Sequence, residues 1–298
     1  MITVSPLLVP RNVLTPSSEL AEHYDAWFCD IWGVIHNGAA AFEKAVEALC
    51  RYRARGGIVV LLTNAPRPSQ VIYDQLARLG VPRDAFDSIV TSGDVTQALV
   101  KKQPDAPLFH LGPQRDHTIL KGLPNPIVDW SEAKLCLLTG PMNDTTDTVD
   151  DYDYRLSLML EQGVEMLCAN PDLVVRSGDR LVMCAGSIAR RYSDMGGKVI
   201  IAGKPQPPIY NAATAKVAEL AGREIAKNRL LAIGDGLQTD MKGAAINGID
   251  AYFITDGIHA TEIGDLGNPA NIVMLFAEIE QQHSGIRLVG ICNRLRWT

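Results

Sequence analysis

The stretch WFCDIWGVIHNG, residues 27–38, decides how the chain is read. An apolar run ends at Asp30 and passes into a glycine-bearing turn, so a buried strand stops with a carboxylate at the start of the loop that follows. Short apolar runs of this kind recur, separated by amphipathic stretches, which is the pattern of parallel strands joined by crossover helices. The run GGIVVLLTNA is β-branched and leucine-rich until it turns polar at Thr63 and Asn64. Before it, AFEKAVEALCRYRARGG places Phe42, Val46, Leu49 and Cys50 at helical spacing and stops at Gly56, a helix with a glycine cap. SQVIYDQLARLGV repeats the device with Ile72, Leu76 and Leu79 before Gly80.

Toward the other end, RLLAIGDGLQTD predicts a strand that stops at Gly234 and Asp235. MKGAAINGI then predicts a short helix ended by Gly248, and DAYFITDG one more strand. These segments read as one Rossmann-like α/β core with a parallel sheet, split along the sequence into residues 1–100 and 197–298. Residues 101–196 lie between, with strand-like runs at 108–111, 135–138 and 166–169 and a helix through DYRLSLMLEQG, and are read as an inserted α/β cap domain. Its edges are the polar, turn-rich KKQPDAP and SDMGGK. The tail at residues 284–298 is small, basic and apolar, and no role is assigned to it.

With 298 residues, 47% of them apolar, the chain has material for a large core or two smaller ones. A formal charge of −6 argues against nucleic acid or an anionic membrane as partner, because affinity for either rests on clustered Lys and Arg. The six cysteines are scattered with no C-x-x-C, which reads as free thiols in a reducing compartment. The opening MITVSPLLVPRNVLTP lacks the pattern of a secretory signal, and no apolar run approaches the roughly 18 residues of a membrane span. A cytoplasmic protein is expected.

Three polar clusters follow core strands: Asp30, Thr63 with Asn64, and Asp235 with Asp240. Ligands of open parallel sheets bind beyond the carboxyl ends of the strands, so all three can converge on one crevice. A fourth element, AGKP at 202–205, follows the apolar KVII and adds Lys204. Three carboxylates in one cleft repel one another, and a divalent cation is the usual remedy; Mg²⁺ suits such oxygens and needs few protein ligands. The histidines show no zinc spacing, and neither a P-loop nor G-x-G-x-x-G is present.

In this order the motifs DIWGV, LLTNA, AGKP and GDGLQTD resemble those of the haloacid-dehalogenase (HAD) superfamily, subclass IIA, the nitrophenyl-phosphatase-like group. CANPDLV at 168–174 resembles the N-P-D stretch of that group's cap. The resemblance implies an Mg²⁺-dependent hydrolase of a small phosphorylated metabolite, with a homodimer formed through the cap. It makes Asp30 the nucleophile and a metal ligand, the main-chain carbonyl of Trp32 and Asp235 the other ligands, and Lys204 a second catalytic residue. Thr63 and Asn64 become substrate-binding candidates, and Asp240 a support for the acidic loop.

One position departs from the pattern. The group carries a second aspartate, its general acid and base, where this chain has Trp32, and an indole N–H has no proton to give up. Three readings follow. One is a slow or selective phosphatase, with His36 as one stand-in base; another is a hydrolase of the haloacid dehalogenase type; the third is a phosphate-ligand binding protein without turnover.

Overall fold

The computed structural model describes residues 15–177, 180–263 and 269–298; the opening segment read for targeting signals therefore lies largely outside the described residues. In chain order the strands are β1 (Ala26–Asp30), β2 (Ile58–Thr63), β3 (Ser88–Thr91), β4 (Leu108–Leu111), β5 (Leu135–Leu138), β6 (Glu165–Cys168), β7 (Val174–Ser177), β8 (Arg180–Met183), β9 (Val199–Ile201), β10 (Leu230–Gly234), β11 (Asp250–Ile254) and β12 (Arg287–Cys292). The larger sheet is entirely parallel and runs β12-β11-β10-β1-β2-β3. From β1 the chain steps outward to β2 and β3, whereas β10, β11 and β12 build in the other direction. The order thus reverses between β1 and β10, where a crevice opens in folds of this kind.

Both faces of this sheet are covered. In β1, Trp27 and Cys29 enter one apolar cluster and Ala26 and Phe28 the other. All five residues of the strand are buried, which explains a continuous apolar run rather than an alternating one. The helix Glu43–Ala54 ends before Gly56, whose φ is 88°, in keeping with the glycine signal in the sequence. Its buried face is centred on Ala45, Ala48, Leu49 and Tyr52, however, with Phe42, Val46 and Cys50 at its margin. Small alanines let the helix lie close to the sheet, and Tyr52 stacks on Trp27 with ring centroids 3.7 Å apart. Spacing of the larger apolar residues alone misplaced that face.

A second parallel sheet, β4-β5-β6-β9, carries its own apolar clusters on its two faces, and β7 and β8 form an antiparallel hairpin. The apolar strand before Lys204, read as part of the core, is β9 and belongs to this smaller sheet. The tail without an assigned role supplies β12, an edge strand of the larger sheet, and buries Leu295 and Trp297. The cysteines are all unpaired. Among the described residues, no helix is long and apolar enough to cross a membrane.

His110, in β4, lies 2.9 Å through Nε2 from the Thr139 hydroxyl. Burial, with a smaller contribution from His117, lowers its pKa from 6.5 to about 4. A group depressed in the folded state binds its proton more readily in the unfolded chain. Its stabilising effect is therefore complete above pH 6.5 and is lost as the pH falls toward 4. The change in melting temperature from pH 6.5 to 4 should be less negative in His110→Gln than in wild type; the buried His36 and His283 act in the same sense as His110, and the raised carboxyls of Asp235 and Asp240 in the opposite one. Parallel thermal scans of the two proteins between those pH values check this.

Candidate active site

The crevice at the β1/β10 reversal is a cleft of about 670 Å³ whose lining includes Asp30, Trp32, Thr63, Asn64, Lys204, Asp235 and Asp240. Every site residue expected from the sequence therefore faces one space, and the smaller sheet's side supplies the rest of the wall.

Asp30 closes β1 and Asp235 follows β10, so the parallel pairing of these neighbouring strands sets the two carboxylates side by side. Lys204 arrives from β9 and is 3% exposed. Its Nζ donates to Asp30 Oδ1 at 2.6 Å and to Asp240 Oδ1 at 2.8 Å. Burial alone would lower the pKa of this ammonium, but Asp240 and Asp30 outweigh it and hold the lysine well above its ordinary value.

Asp240 is carried by the helical turn Leu237–Met241, and its second oxygen accepts from the Gly236 main chain at 3.1 Å. Asp235 accepts from the Ile258 N–H at 2.7 Å, a donor just beyond β11. Burial, then Asp30 and Asp240, push Asp235 well above the usual carboxylate range. Oxygen atoms of Asp30, Asp235 and Asp240 all lie within 4.8 Å of one another, against a single lysine cation. Clustered hard oxygen donors with surplus negative charge form a site suited to a divalent cation. The loop after β1 is part of the same build: Gly33 has φ 84°, and a Cβ there would overlap the Asp235 carboxylate.

Thr63 ends β2 at the cleft, and its hydroxyl accepts from the Ala65 N–H at 3.2 Å. Asn64 is more firmly engaged. Its Oδ1 accepts from the Lys204 N–H at 2.8 Å, while Nδ2 donates to Asp172 Oδ1 at 2.9 Å and to the Lys204 carbonyl at 3.3 Å. The amide thus holds the lysine's main chain, and Asp172 fixes which way it points. Asp172 lies in the N-P-D stretch noted in the sequence; its role toward Asn64 has no signal there, because it acts across 108 residues of separation. The Ile258 main-chain donor also left no trace in side-chain motifs.

Trp32 is 42% exposed and stands in the cleft, edge-on to His36 with centroids 5.3 Å apart. His36 is buried, its Nδ1 accepts from the Gly38 N–H at 2.9 Å, and burial lowers its pKa. A neutral ring accepting at Nδ1 carries its proton on Nε2, so His36 has no lone pair left to act as a base. It braces Trp32.

An open parallel sheet with a carboxylate pair at its reversal point, a buried lysine and an acidic turn defines a class of α/β hydrolase. A family model described as haloacid dehalogenase-like hydrolase matches residues 27–123, and a HAD-hydrolase-like model matches residues 201–278. The crystal structure of a haloacid dehalogenase-like hydrolase from Brucella suis 1330 is 40% identical, with a TM-score of 0.82, covering 94% of this chain and 98% of that one. The chain belongs to the haloacid dehalogenase-like hydrolase family. More distant relatives include the 5'-nucleotidase YutF of Bacillus subtilis, 21% identical over 84% of this chain and 95% of its own. The D-glycerol 3-phosphate phosphatase of Mycobacterium tuberculosis is 25% identical over 93% of this chain and 76% of its own.

Gly33→Ala tests how tightly the site is built. The new methyl group meets Asp235 in a backbone conformation that side chains rarely adopt. Unfolding free energy should drop by about 1–3 kcal/mol in urea titrations; an unchanged midpoint would mean that the loop does not confine the carboxylate.

Proposed function

We propose that the protein is a phosphatase acting on a small phosphate monoester through an aspartyl-phosphate on Asp30, with Mg²⁺ as cofactor. The observation that carries this reading is the Lys204 ammonium, shared between Asp30 and Asp240 beside the Asp235 carboxylate. The relatives named as phosphatases act on nucleotides and on glycerol phosphate, which supports a small phosphorylated metabolite as substrate.

The chemistry follows from the residues. Asp30 is the nucleophile: a carboxylate oxygen attacks phosphorus, and the bond to the leaving oxygen breaks. Lys204 offers a positive charge at the nucleophile and at the oxygens of the transferred group, where negative charge accumulates. Thr63, at the mouth of β2, offers a hydroxyl to the phosphate. Asn64 and Asp172 hold the lysine's main chain. Asp240 keeps the ammonium oriented and the acidic turn closed. Asp30, the Trp32 carbonyl and Asp235 would hold the Mg²⁺, which when bound supplies Lewis-acid charge to the phosphoryl oxygens. The Trp32 ligand is main-chain, so replacing the usual aspartate side chain leaves it intact.

Asp30→Asn should reduce Mg²⁺-dependent release of phosphate from 4-nitrophenyl phosphate to background, and Lys204→Met should lower kcat by about 10² or more. EDTA should abolish activity and added Mg²⁺ restore it. Trp32 favours one competing reading, a binding protein without turnover. Wild type that binds phosphate and Mg²⁺ in calorimetry, yet releases none from any ester, would establish that reading instead.

A further inference from the structure

Resting on the phosphatase reading, the cleft also bears on which ester is cleaved. When the P–O bond breaks, its electron pair stays on the leaving oxygen. An alkoxide must be protonated as it departs, and general acid catalysis of that step is worth about 10² to 10⁴. A phenol, with a pKa of about 10, leaves far more readily as the anion. At the position where the motif that DIWGV resembles has its acid, this cleft presents an indole, and His36 beside it has its Nδ1 taken by Gly38. Asp172, another carboxylate of the lining, accepts from the Asn64 amide.

The shape and polarity of the cleft point the same way. Trp32 is 42% exposed, and the same cleft is walled by Leu173 and Val174, 44% and 42% exposed, together with Val175, Val182 and Met183. Large apolar side chains left open at a cleft mouth suit a flat apolar group, which can stack on the indole. Arg67 and Arg115, also in the lining, are each paired with a carboxylate, Asp116 at 2.7 Å and Asp144 at 2.6 Å, which partly offsets their charge toward a ligand.

We propose that the site selects a phosphate ester of an acidic, ring-borne hydroxyl, an aryl phosphate, over alkyl phosphates such as glycerol 3-phosphate. Asp30 displaces the phenoxide, which takes its proton from water. Water then attacks the phosphorus of the mixed anhydride and the bond to the Asp30 oxygen breaks, giving the Asp30 carboxylate and dihydrogen phosphate, which passes one of the water's two protons to the hydroxide left when the phenoxide was protonated. The anhydride's leaving group is itself a carboxylate and needs no acid. This second step is common to all substrates, so kcat should level off for the best leaving groups while kcat/KM keeps rising.

The test is a series of ring-substituted phenyl phosphates of graded phenol acidity, with glycerol 3-phosphate as the alkyl probe, on wild type with Mg²⁺. The expected result is a steep rise of kcat/KM with phenol acidity and an alkyl rate at least about 10²-fold lower. Trp32→Asp should raise the alkyl rate by about 10²-fold and flatten the series, and Trp32→Leu should raise KM for the aryl esters while leaving the series steep. A flat series, or alkyl and aryl esters cleaved alike by wild type, overturns the selectivity and leaves the phosphatase intact. Inertness on every ester overturns both.

Discussion

The Lys204 ammonium, buried between Asp30 and Asp240, is the contact on which the site depends. A charge taken out of water is costly unless it is paired, and breaking a buried pair from one side costs about 3–5 kcal/mol because a bare charge remains. Here the three partners come from the end of β1, the end of β9 and the turn after β10. Bringing them together requires the larger sheet, the smaller sheet and the acidic turn to be in place at once. The ion pair is thus a condition on the whole fold, and it accounts for several otherwise unrelated details. Asn64 grips the lysine's main chain, glycine follows β1 where Asp235 presses close, and Gly236 offers its N–H to Asp240.

One lysine does not balance three carboxylates. The surplus charge raises the energy of the unliganded site and favours whatever brings positive charge into it. The main chain packs closely around that charge: a Cβ at Gly33 or Gly257 would overlap the Asp235 carboxylate, and the Ile258 N–H donates to it.

Much of this was legible in the sequence. The apolar runs before Asp30, Thr63 and Asp235 announced buried parallel strands, because a strand covered on both faces has no polar alternation to hide it. Their polar ends then converge by topology alone. Lys204 was found by its motif, but its strand was given to the wrong sheet: three apolar residues carry no information on which neighbour they will pair with. The edge strand β12 was missed because it mixes exposed and buried positions and carries Arg287 and Gly290. Asp172 and the Ile258 N–H were missed for a different reason. Their roles exist only across long separations, and a main-chain donor looks the same in every sequence.

The placement of β9 has a consequence for how such a protein diversifies. Lys204 stands three residues beyond the last strand of the smaller sheet, so the segment that walls the cleft and the segment that delivers the lysine are continuous in the chain. Recombination that swaps the intervening segment for a relative's cannot end at the strand without displacing the lysine. The workable splice lies past Pro205, at the start of the helix Pro207–Ala221, which packs on β2 and β3. The lysine of the cleft and the sheet that walls it are therefore continuous in the chain, which a splice past Pro205 preserves.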